Sequence, residues 1–131
     1  KRFIILCTRI AREKFSVSPE REKAFDMVRQ FYVLVDNHFK EKKMVQDYAN
    51  MLHRSPKTLS NLFTTCGLPS PLRIIHERIE AEAKRLLLYS QKSAKEITEI
   101  LGFEDQATFS RFFKKMTGES VSEYRKREKQ E

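Results

Sequence analysis

The chain has 131 residues with 26 Lys or Arg, 18 Asp or Glu and a formal net charge of +8. This length allows one domain or two very small ones, and a hydrophobic fraction of 40% argues against a disordered chain. No apolar run is longer than that of residues 3–7, which is far shorter than the ~20 residues of a membrane span. Two cysteines exclude a disulfide-dense scaffold. The basic excess favours a polyanionic partner, with nucleic acid ahead of an anionic membrane surface.

Helical periodicity dominates the sequence, and only residues 1–10 are ambiguous between helix and strand, so we predict an all-α fold. The first segment, 2–14, is predicted as a helix from its charged exit. A linker at 15–18 leads to a second helix from Pro19 to about Lys42. Its apolar residues recur at steps of three and four, which is typical of a face packed on a core: Phe25, Val28, Phe31, Val35 and Phe39.

Six further helical segments follow, at 45–53, 56–66, 71–89, 93–101, 105–116 and 120–129. Most begin at a candidate N-cap, and Gly67, Gly102 and Gly118 end three of them. Two of the starts also have the spacing of a capping box, in which a Glu three residues on closes the motif. The predicted caps are Ser55, Ser70, Ser93 with Glu96, Asp105, and Ser120 with Glu123.

Two of these pieces resemble each other at an offset of about fifty residues: Ser55, Leu59-Ser60 and Leu62-Phe63 correspond to Asp105, Phe109-Ser110 and Phe112-Phe113. In both, a short helix, a tight turn of about three residues and a capped second helix follow one another, which is the helix-turn-helix layout. The segment 71–89 is long enough to hold two such modules ~30 Å apart, close to the ~34 Å of one turn of B-DNA.

Residues of defined type and spacing run from about 45 to 125: Tyr48-Ala49, Ser55-Pro56, Leu59-Ser60, Leu62-Phe63, Gly67, Ser70-Pro71, Arg78-Ile79, Ala83, Leu86-Leu87, Glu96-Ile97, Gly102-Phe103, Asp105, Phe109-Ser110-Arg111, Phe113-Lys114-Lys115, Gly118 and Glu123-Tyr124-Arg125. In this pattern the chain resembles the AraC-type (AraC/XylS) transcriptional regulators, over roughly 80 of its 131 residues.

Three positions depart from the family pattern. Val121 replaces a usual Pro, and Thr98 replaces a usual Ala at a helix crossing, where we expect it to shift the packing slightly. His53 ends a helix where Gly or Asn is common, so we expect a positive φ there at some cost.

The resemblance implies a DNA-binding unit of about seven helices at 17–131, in which a long central helix joins two helix-turn-helix modules at about 45–67 and 93–118. It implies an N-terminal sensor or dimerisation domain, absent from this chain, with 1–16 as the linker helix that follows it. The implied partners are double-stranded promoter or operator DNA and RNA polymerase, in a bacterial cytoplasm at the nucleoid. Regulation would come from the absent effector domain.

By position, outward residues of the two second helices match the family's base-facing sites: Lys57, Ser60 and Asn61 in the first module, and Gln106, Ala107, Thr108 and Arg111 in the second. Lys and Arg suit guanine, Asn and Gln suit adenine, Ser is permissive, and methyl groups pack on thymine. The candidate phosphate ligands, which position a protein without reading sequence, are Arg54, Arg73, Lys114 and Lys115. A solvated surface is the alternative for Arg111 and Lys114. We expect Asp105 to be a cap, Arg78 an internal strut, and Phe109, Phe112 and Phe113 core residues.

Enzymatic and metal chemistry have little support in the sequence. His38, His53 and His76 lack partners at metal-ligand spacing, and no hydrolase or nucleotide-binding motif occurs. We therefore expect no catalysis, cofactor or metal, and interpret Cys7 and Cys66 as small apolar residues. The alternative to DNA binding is a basic helical protein-interaction or membrane-surface module anchored by the first segment. Deleting 1–16 would abolish binding in that alternative only. RNA binding, a third option, lacks exposed aromatic residues for base stacking.

Overall fold

The structure is a computed structural model that describes residues 19–129. Within that range all regular elements are helices, which confirms the all-α prediction: α1 (Pro19–His38), α2 (Val45–Met51), α3 (Pro56–Thr65), α4 (Pro71–Tyr89), α5 (Ala94–Ile100), α6 (Gln106–Thr117) and α7 (Val121–Lys129). The predicted linker helix at 1–16 lies outside the described residues. The chain divides into two compact units, the first ending at Ile75 and the second beginning at His76. The boundary therefore falls within α4.

The first unit packs α1, α2 and α3 around a cluster of aromatic rings. The ring of Phe31, on α1, lies 5.5 Å from that of Tyr48 on α2 and 5.0 Å from that of Phe63 on α3. All three side chains are fully buried. The periodic stripe predicted for α1 is buried along its whole length. Because Phe31 joins the stripe to both following helices, α1 is part of the core that holds the first helix-turn-helix module.

The second unit is built from the remainder of α4 with α5, α6 and α7. Phe113 of α6 is fully buried, with ring centroids 6.1 Å from Phe109 and 5.4 Å from Tyr124. Nε of Arg125, on α7, donates to the carbonyl of Leu87 at the end of α4 at 3.0 Å. These contacts fix α7 against its own unit.

Phe112 departs from the prediction that the three phenylalanines of α6 all belong to the core. Phe109 and Phe113 are fully buried, but Phe112 is only half-buried. Its ring packs edge-on against His76 at 5.2 Å and also lies 5.4 Å from Phe103. The three positions cannot all face inward because 112 and 113 are neighbours on the helix, and successive residues diverge by about 100°.

Helix α1 ends at His38, four residues before the predicted Lys42. A turn follows, in which the backbone N–H groups of Glu41 and Lys42 both donate to the carbonyl of His38. The hydroxyl of Tyr48 donates to the carbonyl of Lys42 at 2.6 Å, and burial raises the pKa of that hydroxyl. The predicted last turn of α1 is thus replaced by a turn whose final carbonyl is bound by a side chain of α2.

His53 has the positive φ expected from the sequence, at 57°, just after α2. A left-handed conformation costs a residue with a Cβ about 1–2 kcal/mol. We expect His53→Gly to raise the free energy of unfolding by about 1 kcal/mol in chemical denaturation, whereas His53→Ala, which keeps the Cβ, gives no such gain. Equal effects of the two substitutions would contradict a backbone origin.

Thr98, the bulkier residue at the expected helix crossing, is buried with 3% of its surface exposed. Its Oγ1 donates to the carbonyl of Ala94, one turn earlier in α5, at 2.8 Å. The hydroxyl is therefore hydrogen-bonded within its own helix, which removes most of the cost of burying it. The expected shift in packing stays a prediction.

Candidate nucleic-acid interface

The first helix-turn-helix module consists of α2, a turn at 52–55 and α3. Oγ of Ser55 accepts a hydrogen bond from the backbone N–H of Thr58 at 3.1 Å, which confirms the predicted N-cap, and Pro56 occupies the first helical position. Leu59 and Phe63 are fully buried. One face of α3 is thereby sealed against the core of its unit and the other is left in solvent.

The second module consists of α5, a turn at 101–105 and α6. Oδ1 of Asp105 accepts from the backbone N–H of Thr108 at 2.8 Å, so the predicted cap is confirmed. Phe109 and Phe113 seal the inner face of α6, and Gly118, with φ 84°, ends the helix. In both modules the second helix has a side-chain cap at its start and two fully buried residues on its inner face.

The two turns share a hydrogen bond but differ in length. The N–H of Arg54 donates to the carbonyl of Ala49 at 2.9 Å, and the N–H of Phe103 donates to that of Thr98 at 3.1 Å. Four residues then separate the helices of the first module and five those of the second, where about three were predicted. The additional residue of the second turn, Glu104, lies between the shared hydrogen bond and the cap.

The predicted base-facing residues lie on the outer faces of α3 and α6. Six of the seven are exposed, and Thr108 is half-buried with its Oγ1 3.5 Å from Nη2 of Arg111. The exposed six are Lys57, Ser60, Asn61, Gln106, Ala107 and Arg111. Within each unit the structure thus gathers the predicted residues on one accessible helix face.

The predicted phosphate ligands are exposed as well. Arg54 lies in the turn before α3, and Arg73 lies in the first turn of α4, where its N–H donates to the predicted cap Ser70 at 3.2 Å. Lys114 and Lys115 lie in the last turns of α6. A phosphate oxygen can approach each of these positive groups without displacing a buried side chain.

Three capping carboxylates have lowered pKa values because a backbone N–H group at a helix start donates directly to each of them. A hydrogen bond with the backbone of Thr108 lowers the pKa of Asp105. Bonds with the backbone of Ser93 and Ser120 lower those of Glu96 and Glu123, which closes both predicted capping boxes. Because these pKa values are lower in the folded state, each ionised carboxylate stabilises the folded protein at pH values above its ordinary pKa. That stability is lost as the pH falls from the ordinary pKa towards the lowered one.

We therefore expect the midpoint of thermal unfolding to fall on acidification below the ordinary carboxyl range. In Asp105→Asn, which keeps a capping side chain without a titrating group, the pH dependence is expected to be weaker than in the parent. The check is a series of unfolding curves between neutral and acidic pH. An identical dependence in both proteins would contradict this assignment for Asp105.

Glu82 is a buried acid that the sequence analysis missed. Only 8% of it is exposed, and Arg85 binds it with two hydrogen bonds of 3.0 and 2.6 Å. Nη1 of Arg78 lies 3.7 Å from its Oε1, in keeping with the structural role predicted for Arg78. The spacing of three and four residues on one helix was the available signal.

None of the helices within 19–129 combines the length and the apolar character that a bilayer span requires. In the same range no group of three or more His, Cys, Asp and Glu side chains is placed to hold a metal ion. Cys66 is buried and unpaired, as a small apolar residue would be.

Residues 48–127 match a family model described as a helix-turn-helix domain. The chain belongs to the AraC-type family. It is 36% identical over 92 residues to the arabinose operon regulatory protein of Salmonella typhimurium, which is 70% of this chain and 31% of that protein. It is 30% identical over 122 residues to the HTH-type regulator YisR of Bacillus subtilis, or 92% of this chain and 41% of that one. The chain thus spans less than half the length of these relatives.

A solved structure agrees with this assignment. The C-terminal domain of AraT, a response regulator from Geobacillus stearothermophilus, superposes with a TM-score of 0.69 and 29% identity, covering 76% of this chain and 84% of that one. The AraC-type domain is accordingly a sequence-specific DNA-binding domain of a transcription regulator. The family match begins at residue 48, and α1, which precedes it, is part of the core of the first unit.

Proposed function

We propose that this AraC-type domain binds a promoter or operator by placing α3 and α6 in successive major grooves on one face of the duplex. The observation that carries the proposal is the matched presentation of the two helices. Each has two fully buried residues on its inner face, a cap at its start and polar exposed residues on its outer face. The connecting helix α4 has 19 residues, or about 28 Å at the rise of an α-helix.

Base recognition follows from the chemistry of the exposed side chains. We assign Lys57 and Arg111 to guanine, whose O6 and N7 accept hydrogen bonds, and Asn61 and Gln106 to adenine, whose N6 and N7 offer a donor and an acceptor. Ser60 is short and can donate or accept. The methyl groups of Ala107 and Thr108 suit the C5 methyl of thymine.

Backbone binding is assigned to the exposed cations Arg54, Arg73, Lys114 and Lys115. Each phosphate neutralised by such a group releases counterions, so affinity falls with salt. With about six phosphate contacts in all, the log–log slope of the binding constant against salt is expected near −5. These contacts fix the register of the domain on the duplex and leave the choice of sequence to the base-facing residues.

The rest of the regulator belongs to the proposal too. The curated relatives are much longer than this chain, which supports an effector or dimerisation domain as an additional partner, with 1–16 as the linker and 17–131 as the DNA-binding domain. We assign RNA polymerase as the protein partner at the promoter and the cytoplasm, at the nucleoid, as the location. The domain acts by binding, without catalysis.

The test is selection of binding sites for the 131-residue chain from a random duplex library. We expect enrichment of two short sequence blocks about 10 base pairs apart. A single block would contradict base recognition by both helices. Absence of binding to any duplex at low salt would contradict the function itself and favour the interaction-module alternative.

A further inference from the structure

We call α3 and α6, the second helices of the two modules, the recognition helices. Positive charge on α3 lies at its start. Arg54 precedes the cap and Lys57 lies in the first turn of α3, and both are exposed. The cap itself, Ser55, is neutral. The remainder of the helix and the residues that end it, 58–67, contain no charged side chain.

On α6 the order of charges is reversed, with negative side chains at the start of the helix. Glu104 and the cap Asp105 are exposed carboxylates at its start, and the Thr108 N–H holds Asp105 there at 2.8 Å. Its positive side chains lie at the middle and near the end of the helix, at Arg111, Lys114 and Lys115. The carboxylate of Glu104 belongs to the residue by which the second turn exceeds the first.

The carboxylates at the start of α6 and the lysines near its end are too far apart to neutralise each other. The helix has 12 residues, so its ends are roughly 18 Å apart, whereas salt screens charges over about 8 Å at physiological ionic strength. The lysines near the end therefore do not cancel the carboxylates at the start. Arg111 lies between the two ends. The side-chain charges therefore favour a phosphate at the last turns of α6 over its first turn, and at the first turn of α3 over the rest of that helix.

We propose that the two modules hold the DNA backbone through opposite ends of their recognition helices. α3 binds phosphate at its N-terminal end through Arg54, beside the base-facing Lys57, and α6 binds phosphate at its C-terminal end through Lys114 and Lys115. Glu104 opposes phosphate at the N-terminal end of α6 and so lowers the affinity for every duplex. This inference rests on the proposed function and adds to it which end of each helix faces the backbone.

The experiment measures the salt dependence of binding to a selected duplex for exposed-residue variants. Lys114→Gln/Lys115→Gln is expected to reduce the magnitude of the log–log slope by about 1.8, and Arg54→Gln by about 0.9. Thr65→Lys places a cation on α3 at the position equivalent to Lys115, and we expect no change in slope because no phosphate lies there. Lys23→Gln, on the exposed side of α1, is the control for net charge and should leave the slope unchanged.

Glu104→Gln completes the set. It is expected to strengthen binding about threefold on specific and unrelated duplexes alike, with the control Glu22→Gln, exposed on α1, giving no gain. An unchanged slope in the double lysine variant, or a Thr65→Lys slope steeper by about 0.9, would overturn the inference. Failure of the parent chain to bind DNA would instead overturn the proposed function, so the two failures are distinguishable.

Discussion

Replacing Phe31 by alanine is expected to lower the free energy of unfolding of the first unit by about 3–5 kcal/mol. The ring is fully buried and lies between those of Tyr48 and Phe63, which belong to the two helices of the first module. Truncation removes contacts with both helices and leaves a cavity among rigid rings. Chemical denaturation of the 131-residue chain measures the effect.

Val33 provides the matched control on the same helix, because 48% of it is exposed. Val33→Ala is expected to change the unfolding free energy by less than about 0.5 kcal/mol. If Phe31→Ala were equally mild, α1 would be an attached helix rather than part of the core. The result matters for function because α1 precedes the family match at 48–127. If Phe31→Ala is as destabilising as expected, a fragment starting at α2 would lack part of its core.

Replacing Asn61 or Arg111 by alanine is expected to weaken binding to the selected site by about 1–3 kcal/mol each, or roughly 5- to 150-fold. Both side chains are exposed on outer helix faces, so truncation leaves the fold intact and removes only the contact with the base. The loss should fall on the preferred sequence and be small on unrelated duplexes. Competition binding with duplexes changed at single base pairs measures it.

Lys114→Ala is the control for a group that binds phosphate. It should weaken binding to all duplexes by a similar factor, since phosphates carry no sequence information. If Asn61→Ala and Arg111→Ala left specific affinity unchanged while Lys114→Ala reduced it, the base-facing assignment would be wrong. Only the backbone role would then remain for these helices.

Helix starts were predictable because the signals for them are local. Ser93 with Glu96 and Ser120 with Glu123 form the capping boxes that their spacing indicated. Asp105 caps α6 as expected. The outward positions of α3 and α6 followed from the helical period alone, since burial of Leu59 or Phe109 fixes which residues face solvent.

Features that depend on distant contacts were not predictable. The turn that follows the early end of α1 is bound by the Tyr48 hydroxyl at the Lys42 carbonyl, a contact that the periodicity of α1 does not contain. The additional residue of the second turn is defined by the backbone hydrogen bonds of Arg54 and Phe103, which the sequence pattern does not contain. Contact of the base-facing residues with DNA stays a prediction.

The central claim, that α3 and α6 occupy successive major grooves together, is tested most directly by changing the phase between their sites. The affinity of the 131-residue chain is measured for a selected duplex and for the same duplex with five base pairs inserted between the two sequence blocks. Half a turn moves one block to the opposite face, so we expect binding to weaken at least about tenfold. Five substitutions between the blocks, at constant length, are the control. Equal affinity for the parent and inserted duplexes would contradict simultaneous binding by the two modules.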